Sequence, residues 1–568
     1  MRAVLRGVLT ALAAVSVLLV AGSAGASTGA AKAASVGVYP SSTTIRAAAA
    51  PARAPASQAT LKLAIGGTDD AVVLVRGATQ VSAQLALQGP VTAKLLFAHY
   101  VSFSGKLVPD ALVPWDGSQH RTEQPNQPLW VQVTVPPGTA PGTYTGSVAV
   151  TADGAATIVP LTVKVFPVAL PARNQVAGSL LTGFNVAGQS YSNKVAQLYG
   201  PNGQTSSPAL YQFVSQYRIS PNSWGYGTPK ARSGYTSDKR WWLDSAAMMT
   251  AEAGMPSRFA AMLLPLGNNR SAQPVAGLSP SKPQAWCSYL SSVHRFWLQH
   301  NWLASYPYLY GMDEPGLAGF KIVQQQAKVL HSCFPGGHEI VTGNPSAQNT
   351  FLWNGGPDDV DAWVVLANRY YGQYTNPAQS RKGRSNSTER LKLIDQVRKR
   401  HKQIWTYTYG GTKTPGFTAS EPLSDPRLFF DWAALEHVTG VLYGQGTTTY
   451  RANVNPLQAD DRNGSFVLIY PGKDAPIASA RLEQIRIGIE DWEILNVVRQ
   501  KHGADAVGRI LGGAGLFSTT KSGAVELGCT IGCELKTKTP FSWPAWSQDG
   551  STPARFEQMK LAALQAAS

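Results

Sequence analysis

Between Thr60 and Phe166, apolar and polar positions alternate with period two in short runs: LKLAI, VVLVR, VSAQLAL, AKLLFAHYVSF, LWVQVTV, TYTGSVAV and TIVPLTVKVF. PPGTAPG at Pro136–Gly142 and Asp153-Gly154 punctuate them as turns. About seven strands at this spacing predict an antiparallel β-sandwich over residues 59–168. After Leu170-Pro171 the pattern changes to short apolar runs separated by longer stretches of helical period. The strand candidates are GSLLTGF, the stretch Ile219–Trp224, RFAAMLLP, YPYLYGMDE, HEIVTGN, DAWVVLANRYY, KQIWTYTYG and TGVLYGQ. Helices are predicted at Pro283–His300, Gly319–Cys333, Thr388–His401, Pro426–His437 and Ala480–Gln500. Strands followed by helices in this order predict a (β/α)8 TIM-like barrel over residues 172–505. Residues 506–568 read as a mixed tail ending in a helix from about Pro553.

The N-terminus obeys a different grammar. Arg2 and Arg6 precede the apolar run Gly7–Ala21, and Ala24-Gly25-Ala26 offers an A-x-A cleavage site. Residues 1–26 therefore read as a secretory signal peptide, too short for a membrane span, and the mature protein is expected outside the cell with no membrane anchor. Residues 27–58 are Ala, Ser, Thr, Gly and Pro with little that is bulky, and predict a flexible leader. Export permits disulfides. Cys287 and Cys333 would staple two neighbouring helices, and Cys529 with Cys533 would close a small loop in the tail. This is one of three pairings open to four cysteines. His residues are scattered singly, so no metal site is expected, and nothing in the chain calls for a cofactor.

Composition narrows the classes of function. Of the 568 residues only 14% are charged, below the roughly 25% of ordinary globular chains. With 15 Trp, 21 Tyr and 17 Phe, this excludes charge-driven disorder for the bulk of the chain. The net charge of +16 would suit a nucleic-acid binder, but no binding module for nucleic acid is recognisable. Nine of the 22 residues from Arg381 to Lys402 are Lys or Arg. They read as the solvated face of a surface helix, or as a patch attracting an anionic polysaccharide.

The chemistry is concentrated at the end of the fourth barrel strand. Asp313 and Glu314 follow Tyr306–Met312 and precede Pro315-Gly316. Barrel enzymes carry their catalytic groups at strand C-termini. Pro315 disfavours helix at Glu314 and predicts an extended backbone there. Aromatic neighbours would desolvate a carboxyl and suit it to general acid work. A solvated turn is the other reading of Asp-Glu-Pro-Gly. Adjacent carboxylates do not easily straddle a sugar at the roughly 6.5–9.5 Å of an inverting glycosidase. They do suit a substrate-assisted reaction, in which one carboxyl protonates the leaving oxygen and its neighbour holds the N–H of an acetamido group.

YLYGMDEPG, IWTYTYG (Ile404–Gly410) and YPGKDAPIASARLEQIRIGIEDWEIL (Tyr470–Leu495) resemble the catalytic domain of glycoside hydrolase family 123, which occurs in many bacterial proteins as the DUF4091 domain. The resemblance runs from about Pro171 to Val498, with the preceding sandwich as the family's usual companion. It implies a β-N-acetylgalactosaminidase-like glycosidase acting on a glycan or glycoconjugate, with Glu314 as acid/base and Asp313 orienting the acetamido group. The sequence departs from the family at Gly444, where relatives carry Trp, at Ile487 in place of Asp, and at Trp492 in place of Tyr. The missing Trp motivates two alternatives: a non-catalytic glycan- or cell-wall-binding protein, and a glycosidase on non-acetylated sugars.

Further candidates for sugar contact are Trp405, Tyr407 and Tyr409, which share one strand face. Tyr370 and Tyr371 end the sixth strand candidate, and Trp224 ends the second. Outward-facing positions would instead make these residues core. Arg481, Glu483, Arg486, Glu490 and Asp491 form a charged ladder on the last long helix. It reads as an ion-pair network, with Arg481 the member nearest the site.

Overall fold

The computed structural model describes residues 34–173, 175–186, 193–199, 208–222, 259–264, 283–299, 301–343, 359–367, 370, 387–409, 416–451, 453–460, 462–517 and 552–568. The expected signal peptide and the Cys529–Cys533 loop lie outside them.

The first ten strands are β1 (Ser35–Pro40), β2 (Ala59–Ile65), β3 (Thr68–Arg76), β4 (Gln80–Leu87), β5 (Thr92–Phe103), β6 (Lys106–Pro114), β7 (His120–Arg121), β8 (Asn126–Thr134), β9 (Gly142–Ala152) and β10 (Ala155–Ala169). They form two facing sheets. One runs β2-β10-β9-β4-β7; the other runs β1-β3-β8-β5-β6 and continues into strands from much later in the chain. Alternation explains the packing. In β10, Val159, Leu161, Val163 and Val165 all turn inward onto Val73, Leu129, Val131 and Val133 of the opposite sheet. The expected flexible leader is corrected from Ala34 onward: Ser35–Pro40 pairs antiparallel with β3, and Val38 and Tyr39 are buried. Alternating Val36 and Val38 give this short stretch enough apolar surface to dock.

The sandwich is also not closed in sequence. β18 (Ala459–Asp460) joins β5, while β20 (Ile477–Ser479) pairs with β6 and carries β19 (Ile469–Tyr470). β3 is buried along its length except at Arg76, because its second face is covered too. Leu74, Trp130 and Leu112 on that face pack with Ala480 at the start of a long helix.

Seven parallel strands form the second body: β11 (Leu181–Asn185), β12 (Ala261–Leu263), β13 (Tyr306–Met312), β14 (His338–Thr342), β15 (Ala362–Leu366), β16 (Gln403–Thr408) and β17 (Gly440–Gly446), in the order β11-β17-β16-β15-β14-β13-β12. The sheet is nearly closed and barrel-like. In the gap between β11 and β12 the expected second strand is reduced, among the described residues, to a bridge between Phe184 and Pro221. Proline has no N–H for a ladder, which limits pairing there. The helices are α1 (Asn193–Tyr199), α2 (Pro208–Gln216), α3 (Pro283–Gln299), α4 (Leu317–Cys333), α5 (Ser387–Lys399), α6 (Asp425–Leu435), α7 (Ala480–His502), α8 (Ala504–Gly513) and α9 (Thr552–Ala567). Cys287 and Cys333 form the expected disulfide between α3 and α4, Cα–Cα 5.1 Å.

The helix α7 is buried on nearly every side between the two bodies. Ser479 caps it, its hydroxyl accepting from the Leu482 N–H at 3.0 Å. A helix this polar tolerates burial only because its charges are matched. Arg486 reaches Asp70 of β3 at 3.2 Å, Asp491 takes Arg427 of α6 at 2.6 Å, and Glu493 takes Arg173 at 2.9 Å and Arg218 at 2.5 Å. Glu490 accepts from the Thr68 N–H at 2.9 Å, and Lys560 of α9 meets Asp69 at 2.7 Å.

Candidate active site

Alternate residues of the barrel strands point inward. Tyr306, Tyr308, Ile340, Val364, Trp405, Tyr407 and Leu442 share one interior cluster, with Tyr310 and Tyr409 packed against it. The depth of each side chain follows from its position along its strand. Trp405 is fully buried, its indole N–H donating to Gln403 Oε1 at 2.8 Å, and it packs edge-on against Tyr308. A side chain on Gly440 would collide with its ring. Trp405 therefore fills the barrel floor and is not a sugar contact.

At the other end, β13 carries an irregularity. Its register with β14 shifts between Tyr310 and Met312, and the chain then turns out through Asp313 and Glu314. Glu314 takes φ +43°, left-handed rather than the extended backbone expected ahead of Pro315. This conformation is costly for a residue with a side chain and is held by neighbours. Thr342, at the end of β14, does that: its Oγ1 accepts from the Glu314 N–H at 2.6 Å and donates to Asp313 Oδ1 at 3.0 Å. Tyr310 donates to the same Asp313 oxygen at 2.6 Å. Tyr407, from β16, donates its hydroxyl to Glu314 Oε1. Burial first, and then the neighbouring Asp313, push the Tyr310 phenol well above its ordinary value, so it remains a donor.

Both carboxylates are exposed, not desolvated by the aromatic residues before them. Their described partners are hydroxyls and no cation pairs with either among the described residues. Tyr409 is half-buried at the same rim, and Gly444 lies beside it: a Cβ there would make only ordinary contacts with Thr408 O and Tyr409 Cβ, each 3.6 Å away. Among the described residues no group of three His, Cys, Asp or Glu side chains is placed to hold a metal ion.

Two other expectations are corrected. Tyr370 is buried on the outer side of the sheet, edge-on to Trp432, with Arg398 donating to its hydroxyl at 3.0 Å. Arg481 is buried in the sandwich–barrel contact. It grips Asp110 of β6 at 2.7 and 3.0 Å, and donates to the carbonyls of Phe417, Gly464 and Val467. It is a joint between the bodies, not a sugar ligand. Tyr371 and Trp224 lie outside the described residues. Of the basic segment, Arg398 and Lys402 are drawn inward, Lys402 to Asp361 at 3.2 Å. Tyr310 and Thr342 were missed by sequence reasoning, although both sit at or near the ends of barrel strands, where such groups are sought.

An exposed carboxylate pair at a strand end of a barrel-like sheet stands where barrel enzymes carry their acid and base groups. Residues 267–498 match the family model described as glycoside hydrolase 123, catalytic domain. The match ends where the resemblance was read to end but begins well after Pro171. The fold is similar to that of a family 123 glycoside hydrolase from Clostridium perfringens, whose structure was analysed for glycolipid glycan hydrolysis: TM-score 0.60 at 12% identity, covering 94% of this chain and 99% of that one. A β-glucuronidase from Parabacteroides merdae aligns weakly, with TM-score 0.28 and 10% identity over 74% of this chain and 51% of that one. No curated protein matches the sequence.

Proposed function

We propose that this protein is a secreted glycosidase that removes a β-linked N-acetylhexosamine of the GalNAc type by a substrate-assisted, retaining reaction at the mouth of a (β/α)8 barrel. The observation that carries this reading is the Asp313–Glu314 pair, held by Tyr310, Thr342 and Tyr407 inside the stretch that matches the family 123 catalytic domain. Glu314 acts as the acid. It gives its proton to the glycosidic oxygen as the C–O bond breaks, while the sugar's acetamido oxygen attacks the anomeric carbon and closes an oxazolinium ring. Asp313 accepts the acetamido N–H and balances the positive charge that develops on the ring. Glu314, now a carboxylate, takes a proton from water as that water opens the ring, which restores the starting configuration. Tyr310 and Thr342 both bind Asp313 Oδ1 and so leave Oδ2 for the substrate. The glycan of a glycolipid is a candidate substrate, by likeness to the Clostridium perfringens protein.

A second reading, a glycan-binding protein without turnover, is favoured by Gly444, which leaves the rim beside Tyr409 without the family's aromatic wall. Hydrolysis of chromogenic β-GalNAc, β-GlcNAc and plain β-galactoside separates the readings. Release of the acetamido sugars alone, lost in Glu314→Gln and Asp313→Asn, is the expected result. Release that survives Glu314→Gln removes the acid assignment. Binding without turnover favours the second reading, and turnover of the galactoside alone points to a glycosidase of non-acetylated sugars.

A further inference from the structure

Behind the carboxylate pair, on the opposite face of β13, lies a buried polar pair that the proposed reaction does not use. Glu339 of β14 is fully buried and Gln326 of α4 is 1% exposed. Both side chains converge on Gly311, the residue at the register shift: a Cβ on Gly311 would fall onto Glu339 Oε1 and Gln326 Oε1 together. The space a side chain would occupy is thus filled by two oxygens, which explains the glycine at a strand position where backbone freedom is not otherwise required.

The two oxygens border one small closed space, and no side-chain N or O of Glu339 or Gln326 has a hydrogen-bond partner of good geometry among the described residues. Buried acceptors left like this are costly unless a proton is shared between them. Among the described residues no cation is paired with the Glu339 carboxyl. Asp361, a second acid, stands close by, and its Oδ2 accepts from the Glu339 N–H at 2.8 Å. The basic side chains there, His331 of α4 at 2.7 Å and Lys402 at 3.2 Å, bind Asp361 instead. His338, adjacent on β14, is held largely neutral by burial, its pKa lowered to about 4. Burial, and then Asp361, push the Glu339 carboxyl well above its ordinary range, and the Gly311 N–H is its one opposing contact.

We propose that Glu339 stands as a neutral carboxylic acid, its O–H donated to Gln326 Oε1 and its remaining oxygen facing the Gly311 N–H, and that this clamp is a positioning device fixing the irregularity that aims Asp313 and Glu314 at the substrate. The role in catalysis rests on the glycosidase reading; the protonation state does not. Glu339 touches no substrate and acts through the backbone of β13. The register shift is the one place where that strand departs from regular pairing, and the two residues after it carry the chemistry. Glutamine preserves a donor at the same position, whereas leucine fills the volume without one.

The test uses the full chain with Glu339→Gln and Glu339→Leu, both first shown to be folded by thermal melting. Infrared difference spectra of the wild type are expected to contain a protonated-carboxyl stretch near neutral pH that is absent from Glu339→Gln. Exchange of the Gly311 amide is expected to stay slow in Glu339→Gln and to quicken in Glu339→Leu. On the chromogenic substrate, Glu339→Leu should lower kcat about 10- to 100-fold with KM little changed, the size of effect that small misplacements produce. Glu339→Gln should restore most of that loss and raise the alkaline limb of the pH profile. Absence of the Glu339-dependent band overturns the proposal and assigns the contact to a Gln326 amide donating to a carboxylate. Equal losses in the two variants, or equal amide exchange, overturn the clamp. If the wild type releases no sugar at all, the glycosidase reading fails, while the spectrum and the exchange rates still decide the state of Glu339.

Discussion

Two of the carboxylate clusters, along α7 and at the end of β13, are separated by the partners they meet. Along α7 most acidic side chains face a cation: Glu483 with Arg486, Asp491 with Arg427, and Glu493 with Arg173 and Arg218. At the barrel mouth Asp313 and Glu314 meet only hydroxyls among the described residues, from Tyr310, Thr342 and Tyr407. A guanidinium neutralises a carboxylate and fixes it in structure. A hydroxyl orients it, leaves its charge uncancelled and leaves one oxygen free. Charge density marks both sites equally in the sequence; partner chemistry distinguishes the joint from the candidate reaction centre.

That contrast is breakable. Glu314→Gln should lower kcat/KM for the acetamido sugar about 10²- to 10⁴-fold, the usual range for a positioned general acid, with the melting temperature unchanged. A matching fall in melting temperature would make Glu314 a structural residue like those of α7. Arg481→Met should do the reverse. It leaves Asp110 buried without its cation, costing about 3–5 kcal/mol in urea unfolding, while turnover per folded molecule is retained. Thr342→Val removes the acceptor for the Glu314 N–H and a donor to Asp313. It should reduce kcat about 10- to 100-fold, as expected for loss of two such bonds, with KM measured alongside.

The last effect is in pH. Burial pushes Glu490 up to about 7 despite Arg486, Lys560 and Arg218 nearby. An acid whose folded pKa is raised binds its proton more tightly in the folded state, so its contribution to stability is largest below its unfolded value and is lost as pH rises toward 7. The slope is at most about 1.4 kcal/mol per pH unit. Glu490→Gln should flatten the fall of the urea midpoint between those limits. An unchanged slope would show that Glu490 titrates normally.

Much of this was legible in the chain. Period-two alternation located the sandwich strands, and the predicted helix at Pro283–His300 is observed at Pro283–Gln299. Asp313 and Glu314 were singled out because charge at a barrel strand end is informative. What the sequence did not disclose was depth and partnership. Trp405 and Tyr407 share a face, but two residues along a strand are about 6.6 Å apart, enough to place one at the floor and the other against Glu314. Tyr370 lies four residues past the end of its strand at Leu366, its N–H donating to the Ala367 carbonyl, and alternation cannot carry a face assignment beyond a strand's end. Arg481 was assigned to the mouth because it stands near a helix start. Its real partner, Asp110, is 371 residues away, a pairing no local pattern encodes.

The return of β18 and β20 to the first sheet bears on how the chain is made. The edge beside β6 stays unpaired until Ile477–Ser479 has been synthesised, hundreds of residues after β6 itself. An unpaired edge is a template for wrong partners. A nascent chain halted within the barrel would expose an open sheet, and a gene cut at the apparent boundary near Pro171 would produce two fragments that each lack part of the other's structure. The two bodies are therefore one unit of inheritance, although the change in sequence pattern between them suggests a seam.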